Sequence, residues 1–386
     1  MHINELLKET MEAQASDLHL TAGRKPTIRV WGKLQPLEHR AVLSPEDTSQ
    51  LAYSMLNAFQ KQKFEKTWEL DLSYGVPGLG RFRVNLYRQR GATGIAMRSI
   101  PSIIPSVEEL NLPPILRDLS RKPRGLILVT GPTGHGKSTA LAAMIDAINT
   151  ERPAHIITVE DPIEYLHEHK KSIINQRELG FDTQSFPNAL RGVLREDPNV
   201  VMVGEMRDLE TIGAALTIAE TGHLVFATLH TANAAQSIDR IVDVFPPYQQ
   251  QQIRIQLASV IEAVMSQQLL ANQRYFARMS NAHMDGRRGA AAGSVATATI
   301  QRNWPTLEEV GRVPAVEIMI ATPAIRNLIR EAKTHQIESA LQTGGQYGMQ
   351  TMDMALAELC RRQLISREDA ISRAIHPDEL RKLIHA

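Results

Sequence analysis

The sequence predicts an α/β protein with a small N-terminal α/β domain, a core built on a parallel sheet, and a C-terminal helical subdomain. From residue 126 onward, four short apolar runs, LILVT, HIITVE, VVMVGE and HLVFATL, alternate with helical segments. Continuous hydrophobicity is typical of strands buried on both faces by covering helices. Before residue 98 the apolar residues alternate instead, as at Phe82, Val84 and Leu86, which indicates half-buried strands. A length of 386 residues agrees with two or three domains.

The N-terminal elements follow one another at short intervals. We expect an amphipathic helix over about 3–14 and two strands joined by a Gly-Arg-Lys-Pro turn in SDLHLTAGRKPTIRVWGKLQPL. A helix over about 45–63 and further strands between 68 and 100 follow. Four prolines in the 14 residues of PSIIPSVEELNLPP then predict a semi-rigid linker.

The segment after the core is rich in Gly, Ala and Ser and lacks a period, which predicts a flexible loop. Beyond it, Thr322 is a good N-cap and Pro323 a good first residue for a helix. The apolar stripe of this helix comprises Ile325, Leu328, Ile329 and Ala332, while Arg326, Arg330 and Glu331 face elsewhere. The predicted domains are 1–98, a linker at 99–117, the core at 118–271, a loop insertion at 272–310 and the C-terminal helical subdomain at 311–386.

Composition and charge argue against several classes of protein. The net charge is +1, from 43 Lys and Arg against 42 Asp and Glu, which leaves no overall footprint for nucleic acid. The single cysteine, Cys360, excludes an internal disulfide framework and a multi-cysteine zinc site. No stretch approaches the roughly 18 apolar residues of a membrane span, and the acid-bearing N-terminus is unlike a signal peptide. We therefore expect a soluble protein in which any membrane link runs through a partner.

The segment GPTGHGKST matches the phosphate-binding pattern GxxxxGK[ST] in full, between an apolar strand and an Ala-rich helix. Its backbone N–H groups are expected to wrap the phosphates of ATP. Lys137 is expected to meet the β- and γ-phosphate oxygens, and the hydroxyl of Ser138 to bind Mg²⁺. His135 occupies a free position of the pattern and is expected to act through its N–H alone. The predicted nucleotide-binding residues are Gly131, Pro132, Thr133, Gly134, His135, Gly136, Lys137, Ser138 and Thr139.

Two acidic strand ends supply candidate catalytic groups. Glu205 follows the strand VVMVG, at the edge of the sheet where metal and attacking water lie in P-loop enzymes, and is the candidate to polarise water. Glu160, Asp161 and Glu164 lie within five residues at the end of HIITVE, where mutually repelling acids favour a cation such as Mg²⁺. Glu164 is therefore a candidate metal ligand beside Ser138, and a solvated acidic turn is the alternative.

Histidines and arginines complete the candidate set. His223 and His230 flank the strand LVFATL and are candidates to contact the γ-phosphate, although a histidine at a strand end is more often structural. In ring-shaped NTPases an arginine from a neighbouring subunit stabilises the charge on the transferring phosphate. Arg81 and Arg83 alternate with the apolar residues of GRFRVN, so both are expected on one exposed face.

Taken together, these stretches resemble the PilT family, the retraction ATPases of type IV pili within the secretion-ATPase superfamily. The resemblance runs from SDLHLTAGRKPTIRVWGKL to the C-terminus, except for 272–310. It is carried by the phosphate-binding loop, the acidic box TVEDPIEY, VGEMRD, the His box TGHLVFATLHT and AIRNLIRE at 324–331, the family's hallmark tied to retraction. Two features depart from the family's pattern, namely His135 in place of the usual Ser and the long segment 272–310.

The resemblance implies a PAS-like N-terminal domain, a RecA-like P-loop core and a homo-hexamer with nucleotide between one subunit's P-loop and the neighbour's N-terminal domain. It implies Mg²⁺-dependent ATP hydrolysis, and the implied catalytic residues are Glu205, Glu160, Glu164, His230, His223, Arg81 and Arg83. It also implies a cytoplasmic protein, peripheral at the inner membrane, whose partners are the pilus platform protein and a paralogous accessory ATPase, with no nucleic acid expected.

Four alternatives agree with parts of the sequence. An extension or secretion ATPase would normally carry a four-cysteine zinc module, which the single cysteine argues against. An accessory PilU-like paralogue shares the core, but the full AIRNLIRE motif favours the retraction motor. A nucleic-acid motor shares the fold, but neutral charge and the lack of aromatic–basic interleaving count against it. A non-hydrolysing ring would lack one of the acids, whereas Glu160 and Glu205 are both present.

Overall fold

The computed structural model describes residues 2–13, 15–30, 33–100, 103–284 and 310–385. These residues form two compact units. Among the described residues, the first unit comprises those up to Ile103 together with Pro162–Leu166, and the second comprises those from Ile104 to Asp161 and those from His167 onward. Among the described residues, no helix is long and apolar enough to cross a membrane.

The first unit is built on an antiparallel sheet. Its strands are β1 (Asp17–Leu20), β2 (Thr27–Val30), β3 (Lys33–Pro36), β4 (Glu69–Val76), β5 (Gly80–Gln89) and β6 (Ala92–Ile100), and its helices are α1 (Ile3–Glu12), α2 (Pro45–Ser54) and α3 (Ala58–Thr67). The strand order is β3-β2-β1-β6-β5-β4. In β5, Phe82 and Val84 are buried in the apolar core while Arg83 is exposed, as the alternation predicts.

Two local predictions for this unit are wrong. The helix expected over 45–63 is two helices, because Asn57 and Gln60 form a capping box in which each side chain accepts a hydrogen bond from the other residue's N–H. That box starts α3. A third strand, β3, follows the two strands expected near the N-terminus and pairs with β2.

The second unit contains a seven-stranded mixed sheet. Its strands are β7 (Gly125–Thr130), β8 (His155–Glu160), β9 (Ile173–Glu178), β10 (Val200–Val203), β11 (Leu224–Leu229), β12 (Ile261–Ala271) and β13 (Arg312–Ile320). Its helices are α4 (Ile115–Ser120), α5 (Lys137–Glu151), α6 (Phe186–Val193), α7 (Leu209–Glu220), α8 (Ala234–Asp243), α9 (Pro247–Val260), α10 (Gln273–Met284), α11 (Pro323–Arg330), α12 (Ile337–Thr343), α13 (Met352–Arg361), α14 (Arg367–Arg373) and α15 (Pro377–His385). The strand order is β13-β12-β7-β11-β10-β8-β9, and only the β12–β13 pair is antiparallel.

The four apolar runs form the parallel centre of this sheet as β7, β8, β10 and β11. In β7, Leu126 and Leu128 pack into one apolar cluster, and Ile127 and Val129 pack into another. The strand is therefore covered on both faces, which is the environment that its continuous hydrophobicity predicts. The predicted α/β fold class is confirmed.

Three segments differ from the sequence-based expectation. Val107 and Leu112, placed in the linker at 99–117, are buried in the core of the second unit. The expected loop at 272–310 begins with α10, because Asn272 is buried and accepts a hydrogen bond from the N–H of Arg274 at the helix start; its remainder, 285–309, lies outside the described residues. Residues 312–320, assigned to the C-terminal helical subdomain, form strand β13, which pairs with β12 along its length.

Helix α11 carries the AIRNLIRE motif. Thr322 caps it as predicted, by accepting a hydrogen bond from the N–H of Ile325. Ile325 and Ile329 are fully buried, so the predicted apolar stripe is confirmed at these positions. Ala332 does not belong to the stripe, because it lies past the helix end with a φ of 57° and is exposed.

Arg326 of this motif is a structural anchor. Its Nη1 donates to the carbonyl oxygens of Ala258 (2.7 Å) and Ser259 (2.9 Å) at the C-terminus of α9. Its Nη2 donates to Oε1 of Glu262 at 2.6 Å. A cation at a helix C-terminus satisfies carbonyl groups that have no partner within the helix. Arg326 therefore fixes α11 to the end of α9 and the start of β12.

We predict that Arg326→Ala lowers the free energy of unfolding by about 2 kcal/mol, because several charge-assisted hydrogen bonds are lost at a largely buried site. Arg330→Ala on the same helix is the matched control, since Arg330 is exposed and, among the described residues, its side chain donates a hydrogen bond only to Asn327, at 3.4 Å. Urea denaturation of both variants makes the measurement. Equal stabilities for the two variants would contradict the anchoring role.

Glu317 of β13 is a buried carboxylate that joins two helices. Its Oε1 accepts from the N–H of Ala234 at the start of α8 (2.7 Å), and its Oε2 accepts from the N–H of Met352 at the start of α13 (3.3 Å). Burial raises the pKa of Glu317 to about 7, although these two hydrogen bonds oppose the shift. The charges of Glu338 and Asp353 raise it further.

Because the folded pKa is raised, protonation of Glu317 stabilises the fold fully below the unfolded value of 4.5, and this contribution is lost as the pH rises to about 7. We predict that wild type loses stability relative to Glu317→Gln across this window, at up to about 1.4 kcal/mol per pH unit. Denaturation of both proteins at several pH values measures the difference. Parallel curves between pH 4.5 and 7 would show that Glu317 does not titrate there.

Candidate active site

The phosphate-binding loop joins the end of β7 to the start of α5 and requires glycine at two positions. Gly131 has a φ of 135°, and a Cβ added there would lie 2.2 Å from the carbonyl oxygen of Gln267 on β12. Gly136 has a φ of 83° and is the N-cap of α5. A side chain at either position would collide with β12 or strain the backbone. The loop conformation thus depends on these glycines.

The loop offers donors to an anion. Among the described residues, no acceptor is hydrogen-bonded to the N–H groups of Gly134, His135 or Gly136. These groups lie at the N-terminus of the 15-residue helix α5, whose dipole favours negative charge. Lys137 is 8% exposed, and its ammonium group donates to the carbonyl oxygens of Gly131 (2.8 Å) and Pro132 (3.0 Å). Free N–H groups and a nearby cation suit the phosphates of a nucleotide.

The register of the parallel strands brings the candidate catalytic residues to this edge. The last paired residue of β11, Leu229, lies beside Thr130 at the end of β7, and Val203 of β10 lies beside Val159 of β8. Glu160, Glu205 and His230 stand at the carboxyl ends of β8, β10 and β11 respectively. A Cβ added to Gly204 would come within 3.1 Å of the Cα of Glu160, so the two acidic strand ends are in close contact.

Glu205 is held by two basic side chains. Arg207 donates from Nε to Oε1 (2.5 Å) and from Nη2 to Oε2 (2.7 Å), while Nε2 of His230 lies 2.9 Å from Oε1. Burial raises the pKa of Glu205, but the contacts with Arg207 and His230 outweigh it and hold the pKa below its usual value. The carboxylate is therefore ionised at neutral pH and able to accept a proton or orient water.

His230 connects Glu205 to the phosphate-binding loop. Its Nδ1 lies 3.4 Å from the hydroxyl oxygen of Thr133, and its Nε2 faces Glu205. With the proton on Nε2, the ring donates to Glu205 and accepts from the hydroxyl of Thr133. A hydrogen-bonded chain thus runs from the loop through His230 to Glu205.

Glu160 lies at the end of β8 and is 7% exposed. Its Oε1 accepts hydrogen bonds from the hydroxyl of Thr158 (2.7 Å) and from Nε2 of Gln176 (3.1 Å). These bonds within the second unit fix its carboxylate beside Gly204. Among the described residues, no group of three His, Cys, Asp or Glu side chains forms a metal site by itself. Mg²⁺ usually binds through one or two protein ligands together with substrate phosphates.

The structure does not bring every predicted residue to this edge. His223 precedes β11, and its Nδ1 lies 3.0 Å from the carbonyl oxygen of Ile218 and from the hydroxyl oxygen of Thr221. A six-residue strand separates it from His230 by roughly 20 Å. The expectation that both histidines contact the γ-phosphate is therefore corrected, because the amino and carboxyl ends of a parallel strand lie at opposite edges of the sheet.

Three predicted residues belong to the first unit. Arg81 and Arg83 lie on β5, opposite Ile100 and Arg98 of β6. Glu164 lies in the segment Pro162–Leu166, and its side chain is exposed. Within the second unit, Glu160, Glu205 and His230 lie at the same edge of the sheet as the phosphate-binding loop.

Two residues contribute to this site in ways that the sequence did not predict. The spacing of Arg207 from Glu205 was visible in GEMRD, but its bidentate contact with the carboxylate depends on the turn after β10. The side chain of His135, expected to be idle, accepts a hydrogen bond at Nδ1 from the N–H of Leu269 at 3.0 Å. No local pattern reveals that contact, because 134 residues separate the two groups.

A phosphate-binding loop beside an ionised carboxylate, both at the carboxyl edge of a parallel sheet, is the arrangement of the P-loop NTPases. Comparison with known proteins narrows this class. The family described as Type II/IV secretion system protein matches residues 93–364. The chain is 48% identical over 383 residues to the type IV pilus retractation ATPase PilT of Pseudomonas aeruginosa, which covers 98% of this chain and 99% of that protein.

Two further comparisons, one with a solved structure and one with a second relative, indicate the same family. The crystal structure of the pilus retraction motor PilT with bound ADP superposes with a TM-score of 0.85 at 46% identity, over 99% of each chain. The type IV pilus ATPase PilU of Pseudomonas aeruginosa is 37% identical, over 100% of this chain and 91% of that protein. The chain belongs to the PilT family, within the type II/IV secretion system proteins.

We predict that Glu205→Gln reduces kcat for ATP hydrolysis about 10²-fold or more while nucleotide binding persists, since only the group that accepts a proton is lost. Phosphate release measures kcat, and equilibrium binding of a fluorescent ADP analogue provides the control. Full turnover by this variant would contradict the assignment of Glu205 as the group that accepts a proton.

The two histidines supply a matched pair. We expect His230→Ala to lower kcat, because Glu205 loses its connection to the loop, and His223→Ala to turn over ATP close to the wild-type rate. The same phosphate-release measurement compares them. Equal losses of kcat in the two variants would show that a position at the carboxyl edge of the sheet does not determine the contribution of a histidine to hydrolysis.

Proposed function

We propose that the chain is a homo-hexameric motor that couples ATP hydrolysis to retraction of a type IV pilus, and hence to twitching motility. The similarity to a pilus retraction ATPase over 98% of the chain supports this function most directly. An intact loop, Glu160, Glu205 and the connecting His230 support hydrolysis by the chain itself. The AIRNLIRE motif supports retraction, and the anchoring bonds of Arg326 give this motif a structural role.

Bound Mg²⁺–ATP would supply the phosphoanhydride bond that is cleaved and the metal charge that offsets the negative charge developing there. Lys137 and the N–H groups of the loop would hold the phosphates, and the hydroxyl of Ser138 would ligate the metal, with Glu164 of the acidic box as a further candidate. Glu160, which is fixed beside Gly204, would help to position the groups at the carboxyl edge of the sheet.

Glu205 would orient and deprotonate the attacking water. Both of its oxygens contact Arg207 in this structure, and these contacts lower the pKa of the carboxylate, so release of Arg207 would make Glu205 a stronger base. Arg207 has a side chain that is 77% exposed, which leaves it room to swing away. His230 would keep the carboxylate aligned through its remaining bond, because its own position is tied to Thr133.

Arg81 and Arg83 would complete the site from the neighbouring subunit. Both are on a strand whose opposite face is buried in the core of the first unit, so a rigid sheet would present them. Because the guanidinium group is planar and permanently charged, it suits a phosphate that gains charge during transfer. In this proposal each nucleotide lies between two subunits of the ring.

The motor would work at the cytoplasmic face of the inner membrane, against the pilus platform protein. An accessory PilU-like role is the second candidate, supported by the 37% identity to that relative over the whole chain. A nucleic-acid motor is less well supported, because the net charge of +1 offers no overall attraction to phosphate backbones.

Deletion of the gene from its own host tests the function. We expect piliated cells that no longer retract, with retraction restored by a wild-type copy and not by a Glu205→Gln copy, as followed by imaging of labelled pili. Retraction that continues without the chain would contradict the motor and favour the accessory role.

If Arg81 and Arg83 act on the nucleotide of the neighbouring subunit, two inactive variants should restore each other's activity in mixed rings. Lys137→Ala rings lack phosphate binding, and rings with Arg81→Ala and Arg83→Ala lack the neighbour's charge, at a cost of about 10³-fold in kcat. Co-expressed mixed rings should regain turnover, because some interfaces then pair an intact loop with intact arginines. Mass measurement checks that all rings are hexamers. Mixed rings as inactive as their parents would place the arginines in cis or outside the site.

A further inference from the structure

Strand β12 runs past the edge of the parallel sheet and forms one wall of the phosphate-binding loop. Its pairing with β7 ends where Ser266 meets Thr130, and their hydroxyl groups share a hydrogen bond of 2.8 Å. Among the described strands, the remaining residues, 267–271, pair only with β13 on their other side. A strand edge without a neighbouring strand leaves backbone donors and acceptors without partners. The loop occupies this edge.

Three contacts attach the loop to the paired strands β12 and β13. Nε2 of Gln267 donates to the carbonyl oxygen of His135 at 2.9 Å, and Nη1 of Arg312, at the start of β13, donates to the carbonyl oxygen of Gly134 at 3.2 Å. In the third contact, Nδ1 of His135 accepts a hydrogen bond from the N–H of Leu269 at 3.0 Å. Of these three contacts, it is the one that uses a side chain of the loop. Together they hold the middle of the loop between β12 and β13.

The ring of His135 is suited to accept this bond. Burial, followed by the charges of Arg373, Arg312 and Lys137, holds the pKa of His135 below its usual value. The imidazole is therefore neutral at neutral pH, with the proton on Nε2 and the lone pair on Nδ1 directed at Leu269. A protonated ring would have no acceptor to offer.

We propose that His135 is a positioning residue for nucleotide binding, whose bond to Leu269 keeps the loop open to phosphate before the nucleotide arrives. The held conformation leaves the N–H groups of Gly134, His135 and Gly136 without acceptors among the described residues, which is the state that an incoming phosphate needs. If the loop were free to adopt other conformations, its affinity for phosphate would fall in proportion to the fraction of time that it spends in the binding conformation.

The test compares His135→Ala with His135→Asn. Asparagine places an amide oxygen near the position of Nδ1 and keeps the acceptor, whereas alanine removes it. We expect His135→Ala to weaken binding of a fluorescent ADP analogue about two- to tenfold, the range for one hydrogen bond. KM for ATP should rise by a similar factor with kcat little changed, because the bond acts before chemistry. His135→Asn should recover most of the affinity.

Arg312→Ala serves as a second, independent break of the same attachment and should also weaken ADP binding. Thermal unfolding of all variants separates a loop effect from a loss of fold. Unchanged affinity in His135→Ala, or a failure of His135→Asn to recover it, would overturn the inference. The inference rests on the proposed nucleotide binding and not on pilus retraction. A wild-type protein that binds no ADP would contradict both the proposed function and the role of His135. A protein that binds ADP but retracts no pilus would contradict the motor alone, and the binding measurements would still decide the role of His135.

Discussion

The parallel register of β7, β11, β10 and β8 is the constraint on which the site depends. These strands end together, so the phosphate-binding loop, Glu160, Glu205 and His230 meet although up to 99 residues separate them along the chain. Register is strongly specified because the strands are buried on both faces, where a slip would expose apolar side chains or misplace them. The chemistry of the edge is thus fixed by packing in the interior.

Strand β12 extends this constraint to the rest of the second unit. Glu262 near its start receives Arg326 of the AIRNLIRE helix, Ser266 in its middle contacts Thr130, and Leu269 near its end contacts His135. A single extended strand therefore contacts the AIRNLIRE helix near one end and the nucleotide-binding loop near the other. Its partner β13 carries Glu317, which fixes the starts of α8 and α13.

Local patterns were enough to predict the parallel core and the positions of the loop, Glu205 and His230, because the loop and both side chains come directly after apolar strands. His223 was assigned to the same site because it flanks the same strand, and only the strand's direction places it at the far edge. Arg207 and the side chain of His135 were not predictable, since their roles depend on contacts made after folding. The helix α10 was hidden for a similar reason, as its start rests on the buried Asn272 rather than on apolar periodicity.

A structure of the assembled protein with Mg²⁺ and a non-hydrolysable ATP analogue would show whether this edge of the sheet is the site of hydrolysis. We expect phosphates within hydrogen-bonding distance of Lys137 and the loop N–H groups, and Glu205 released from Arg207 toward the γ-phosphate. A nucleotide bound elsewhere, or Glu205 still paired through both oxygens with Arg207 when the analogue is bound, would contradict it.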